Sequence, residues 1–161
     1  MSSGSVLERA TRVRASIGSS KEARYALSED SETCWTVELG SPSTSAQVTL
    51  TATLDAPCAV SSLQVVHCTF AGGFAPIRVV LLAGFASAAN PKDVAWVELE
   101  TVYPADGNMA QTFPLKPEHV AQQLQVAAYA VDAACTHLAL RLEGSTDGFG
   151  RLVVYRLAIT G

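Results

Sequence analysis

Residues 145–161 read STDGFGRLVVYRLAITG. An acidic, glycine-rich corner runs directly into a ten-residue alternating stretch. Val153, Tyr155, Leu157 and Ile159 fall on one face, and Leu152, Val154 and Ala158 on the other. Both faces are largely apolar, which suits a strand with a neighbour on each side rather than a sheet edge. A chain that finishes this way is expected to stitch its last strand into the middle of a sheet.

The same period of two recurs upstream. In 46–54, AQVTLTATL, Val48, Leu50, Ala52 and Leu54 oppose Thr49, Thr51 and Thr53. SSLQVVHC at 61–68 continues the pattern with Leu63 and Val65. IRVVLLA at 77–83 is apolar throughout, as a strand buried on both faces would be, and VAWVELET follows at 94–101. YPADGN at 103–108 is a turn by its Pro, Asp-Gly and Asn, and MAQTFPL at 109–115 is short and extended. KPEHVAQQ at 116–123 places Pro117 at a first helical position with Glu118 behind it, predicting one helical turn. Further strands are expected at about 124–130 and 137–143, and a long loop around SAANPKD at 87–93. About eight short strands with turn signals every ten residues or so predict an all-β sandwich or jelly roll. One domain is expected over residues 8–161, with residues 1–7 loose.

Composition narrows the function. The 161 residues are 48% hydrophobic and only 16% charged, with a net charge of −4. That is too apolar for disorder and fits a protein that lives in a complex. Lys and Arg do not cluster along the chain, so no nucleic-acid partner is expected. The start MSSGSVLERATRVRAS lacks the apolar stretch of a signal peptide, and no run of about 18 apolar residues exists to span a bilayer. Cys34, Cys58, Cys68 and Cys135 form no C-x-x-C pair and read as reduced, buried or half-buried thiols, pointing to a cytoplasmic home. Cys and His never stand at metal-ligand spacing.

Catalytic motifs are missing: there is no Gly-x-Ser-x-Gly elbow and no phosphate-binding loop. His67, His119 and His137 are isolated, and the neighbouring acids Glu29, Asp30 and Glu32 read as solvated turn residues. No enzyme is expected. In LSEDSETCW at 27–35, Asp30 and Thr33 can cap a turn and Trp35 can plug one end of a sandwich. The alternative for this loop is calcium, which oxygen ligands suit. In STDGFGR at 145–151, Gly148 and Gly150 can take positive φ and so aim Phe149 into the core, while Asp147 and Arg151 stand close enough for a charge-assisted bond. The alternative reading makes this corner part of a rim that grips a partner.

SEDSETCW at 28–35, YPADGNMAQTFPL at 103–115 and STDGFGRLVVYRLAITG at 145–161, with GGF at 72–74 between them, together resemble the discoidin, or F5/8 type C, galactose-binding-like superfamily. The resemblance implies an eight-stranded antiparallel jelly roll with adjacent chain ends and a ligand mouth of loops at one end. It places Asp30, Thr33, Trp35, Asp147, Phe149 and Arg151 as candidate mouth or structural residues. Calcium-holding members carry a Glu in the final strand where this chain has Arg156, which counts against the ion although Asp30 and Thr33 match. No cofactor is therefore expected, and no exposed aromatic loop of the membrane-binding kind. The resemblance implies a non-catalytic interaction module in a larger intracellular assembly, with protein partners. The alternative is a carbohydrate-binding module that uses the mouth.

Overall fold

The computed structural model describes residues 4–28, 32–40 and 46–161. Among the described residues, nine strands form two antiparallel sheets: β1 (Ala10–Ala15), β2 (Trp35–Glu38), β3 (Gln47–Ala59), β4 (Val65–Phe70), β5 (Arg78–Ala86), β6 (Val94–Val102), β7 (Gln111–Pro114), β8 (Ala134–Glu143) and β9 (Arg151–Thr160). The first sheet runs in the order β1-β3-β8-β5-β6 and the second in the order β2-β9-β4-β7. The expected sandwich is therefore present. Its inner faces supply one core, in which Trp35, Phe70, Leu50, Leu140, Leu157 and Ile159 are fully buried.

β9 is the central strand the terminal stretch predicts. It pairs with β2 from Trp35↔Val154 to Glu38↔Arg151 and with β4 from Val65↔Thr160 to Phe70↔Val154. The alternation along β9 does not run unbroken. Thr69 pairs with Arg156 and Phe70 with Val154, so Tyr155 is an extra residue on β9. A bulge of this kind flips the alternation. Leu152 and Val154 point inward before it, Leu157 and Ile159 after it, and Tyr155 is left exposed.

The chain ends are adjacent, through packing rather than strand pairing. Residues 5–7, expected to be loose, are buried, and Val6–Arg9 forms a 3₁₀ turn capped by Ser5. The Ser5 hydroxyl accepts from Leu7 N–H at 3.2 Å and from Ile159 N–H at 3.0 Å. Arg156 reaches back to Glu8 at 3.3 Å and so forms an ion-pairing strut to the start of the fold. β1 itself lies in the other sheet, on β3.

The structure holds more helix than the sequence pattern predicts. α1 (Ser20–Tyr25) was not expected at all; Ser19 caps it through Glu22 N–H. α2 runs Pro117–Val126, well beyond one turn, and overturns the strand expected at 124–130. Val120 and Leu124, four apart, are its buried residues, a helical spacing that the mixed polar run disguised. β4 also starts later than its pattern suggested. Val60–Ser62 is a 3₁₀ turn; Leu63 is buried in the core but precedes the strand, whose inward set is Val66, Cys68 and Phe70 rather than Val65. All four cysteines are free thiols, and burial pushes Cys68 up to about 12, far from reactive thiolate.

On the outer face of the five-stranded sheet, Glu143 lies between Arg78 and Arg141, with Nε–Oε distances of 2.5 and 2.6 Å. Burial opposes its ionisation, but the two guanidinium hydrogen bonds outweigh that and hold its carboxyl below the ordinary value of 4.5. A lowered native pKa adds stability above the unfolded pKa, lost as pH falls through the native one. Glu143→Gln should therefore be less stable than the parent in urea at pH 7, with the gap narrowing as pH falls below the ordinary carboxylate range. A second expectation concerns β9: a chain shortened by Arg151–Thr160 should show no cooperative melting transition, because β2 and β4 lose their shared partner.

Candidate functional site

Antiparallel registers gather three loops at one end of the sandwich. The β4–β5 loop at 71–77, the β6–β7 loop at 103–110 and the β8–β9 corner at 144–150 all lie there, because Phe70, Arg78, Gln111 and Arg151 begin or end strands on that side. Short polar side chains tie the loops into one rim. The Asp106 carboxylate accepts from Gly73 N–H at 2.8 Å and from the Thr146 hydroxyl at 3.3 Å. Asn108 accepts from Gly72 N–H at 2.5 Å. The Thr146 hydroxyl accepts in turn from Ala75 N–H at 3.1 Å, and Gln111 closes a two-bond ring on Ala105.

The corner also ties itself. Asp147 accepts from the Arg151 backbone N–H at 2.9 Å, and Ser145 accepts from Asp147 N–H and donates to Arg151 C=O. Gly150, at φ 77°, closes the turn in a conformation that L side chains avoid. The expected bond between Asp147 and Arg151 is thus made by the Arg151 backbone. The guanidinium pairs with Glu38 on β2 at 2.9 Å, an exposed contact worth little to stability.

Phe149 does not enter the core. It stands at the tip of this braced corner and is 87% exposed. The turn closes through its own backbone and polar groups, without any contact from the ring. Two residues read only as part of a turn and an extended run join it on the rim: Met109 is 80% exposed and Tyr103 68%. Exposed apolar side chains on loop tips, not expected from the sequence, are therefore present at this end. Their signal was legible in outline, since Tyr103 and Met109 bracket the acceptor-rich turn that anchors the rim.

The other candidates separate from this corner. Trp35 is fully buried opposite Val154, as a plug, and offers no platform to a ligand. Thr33 precedes β2 on the flank of β9, away from the 144–150 tip, whose β2 neighbour is Glu38. Asp30 lies outside the described residues. Among the described residues, no group of three or more His, Cys, Asp or Glu side chains converges to hold a metal ion.

No family model matches the chain. It is 33% identical over 140 residues to the nuclear receptor 2C2-associated protein of Bos taurus and 32% identical to that of Homo sapiens, in each case over 86% of this chain and 78% of the relative. Among solved structures, chitosan-binding module 1 of the Paenibacillus sp. IK-5 chitosanase/glucanase superposes with a TM-score of 0.64 at 14% identity, covering 98% of both chains. XRCC1, solved bound to the DNA polymerase β catalytic domain, gives 0.62 at 14% identity over 95% of this chain and 97% of that one. These likenesses show a galactose-binding-like β-sandwich.

Truncations at the rim separate its two kinds of residue. Phe149→Ala should leave stability within about 0.5 kcal/mol of the parent. Asp106→Ala removes an acceptor from two donors and should lower it by about 1 kcal/mol. Urea unfolding of both variants measures the contrast; a larger loss for Phe149→Ala would return that ring to the core.

Proposed function

We propose that the chain, which belongs to the family of nuclear receptor 2C2-associated proteins, is a non-catalytic protein-interaction module that grips its partner with the loop rim. The observation that carries this is the exposure of Phe149, Met109 and Tyr103 on loops braced by Asp106, Asn108 and Thr146. An aromatic side chain held out by a braced loop loses little freedom on binding, and aromatic and Met side chains are enriched at protein interfaces. The name of its relatives, as receptor-associated proteins, supports a protein partner.

The reading is of an intracellular subunit or adaptor. No helix among the described residues is long and apolar enough to cross a membrane. The free thiols support a reducing compartment. The likeness to the chitosan-binding module shows the fold alone. A sugar at the rim needs an aromatic platform beside clustered polar groups, and Trp35, the aromatic residue expected there, is buried.

Affinity capture from cells, with the intact chain and the variants Phe149→Ala and Met109→Ala as baits, tests the rim. The parent should retain a defined set of proteins, and each variant should lose at least tenfold of that set while melting normally. Equal recovery by all three baits moves the interface elsewhere. A glycan array that lit up one sugar class, with loss of signal in Phe149→Ala, would replace the protein partner with a carbohydrate.

A further inference from the structure

The outer face of the five-stranded sheet carries a trough of about 1090 Å³ that crosses all its strands, from Arg12 and Arg14 on β1 to Trp96 on β6. It lies on a sheet face rather than on the loop rim. Its floor carries the half-buried hydroxyls of Thr51, Thr53 and Thr136.

Trp96 is the distinctive side chain of this surface. It is 40% exposed and lies over Gly84, its cross-strand partner. A Cβ on Gly84 would stand 2.8 Å from the indole and 2.9 Å from the His137 Cβ, so only glycine lets the ring settle there. His137 meets it edge-on, with ring centroids 6.0 Å apart, and is itself tethered 2.7 Å from the Thr136 hydroxyl. The indole is thus pinned on its lower side and leaves a fixed apolar surface in a trough of hydroxyls and charges.

The charges are unbalanced. Arg12, Arg14 and Lys92 line the trough against one carboxylate, Asp93, in a chain whose net charge is −4. Among the described residues these three cations form no ion pair, whereas Arg78, Arg141, Arg151 and Arg156 are each committed to a carboxylate. Arg12 and Arg14 stand at one end of the trough, and Lys92 lies at the other, beside β6.

We propose that this trough binds an extended acidic segment of a protein partner, with carboxylates on Arg12, Arg14 and Lys92 and an apolar side chain laid on Trp96. Five strands at about 4.8 Å spacing span roughly 19 Å, the length of about six extended residues. A uniformly charged polymer fits less well. One negative charge every few ångströms would set some against Asp93 and against Glu98, which lies beside Trp96 on β6 and is 59% exposed. A peptide can place acids at the two ends and neutral residues between them.

The experiment is an NMR titration that follows the Trp96 indole and His137 ring signals, with the capped hexapeptide Glu-Asp-Pro-Leu-Glu-Glu as probe. A hexapeptide with Lys at each acidic position and a heparin hexasaccharide serve as comparisons. The acidic peptide should shift both signals saturably, and Arg12→Glu/Arg14→Glu should weaken it at least tenfold while keeping the parent melting temperature. Trp96→Ala should weaken it as well. No saturable shift, equal binding of the Lys peptide, or indifference to the Arg substitutions would overturn the proposal. Tighter binding of the heparin fragment would overturn it too, in favour of a polyanion. Should the peptide fail while Phe149→Ala still loses its captured partners, the trough falls and the rim reading stands.

Discussion

The double-sided pairing of β9 is the constraint on which the rest of the molecule depends. One edge of this strand holds β2, and with it the buried Trp35. The other edge holds β4, which carries Phe70 and supports the edge strand β7. Its last residues also take the Ser5 hydroxyl and, through Arg156, the Glu8 carboxylate, so the start of the chain is fastened to its end. Central strands gain hydrogen bonds and apolar burial on both sides, which is why a stretch apolar on both faces occupies this place. The bulge at Tyr155 lets the strand serve both neighbours while turning one aromatic side chain out to water.

From that frame the loop rim takes its rigidity. Strands β4, β5, β7 and β9 deliver their connecting loops to one end, and Asp106, Asn108 and Thr146 join them there. The polar residues are spent on the loops' own backbone groups, and the apolar ones, Phe149, Met109 and Tyr103, are left facing outward. That division of labour suits an adhesive surface. Asp106 and Asp147 at this end are occupied as acceptors of structural hydrogen bonds.

The sheet-face trough depends on the fold in a different way. Arg12, Arg14, Lys92 and Trp96 are scattered over eighty-odd positions of the chain, and only the order β1-β3-β8-β5-β6 sets them across one concave face. Read linearly, basic residues do not cluster. Read across the sheet, they do, because side chains on alternate residues of neighbouring strands share a face. The facing of Trp96 is likewise set by its neighbours across the sheet, Gly84 and His137.

The local periods of the chain determined the class of fold, the central position of the last strand and the double-sided burial of β5, since alternation and turn chemistry are properties of neighbouring residues. The blocks around Trp35, YPADGN and the terminal corner likewise carried the family. Tertiary structure alone decided the rest. It turned Phe149 outward, at the tip of a corner that closes through its own polar groups. It transferred the Arg151 charge to Glu38, and it made a helix of Pro117–Val126, whose buried face exists only against the sheet end it covers. Alternation along β9 failed at Tyr155 for the same reason: a bulge is set by the register of two neighbours at once, and no single strand encodes it.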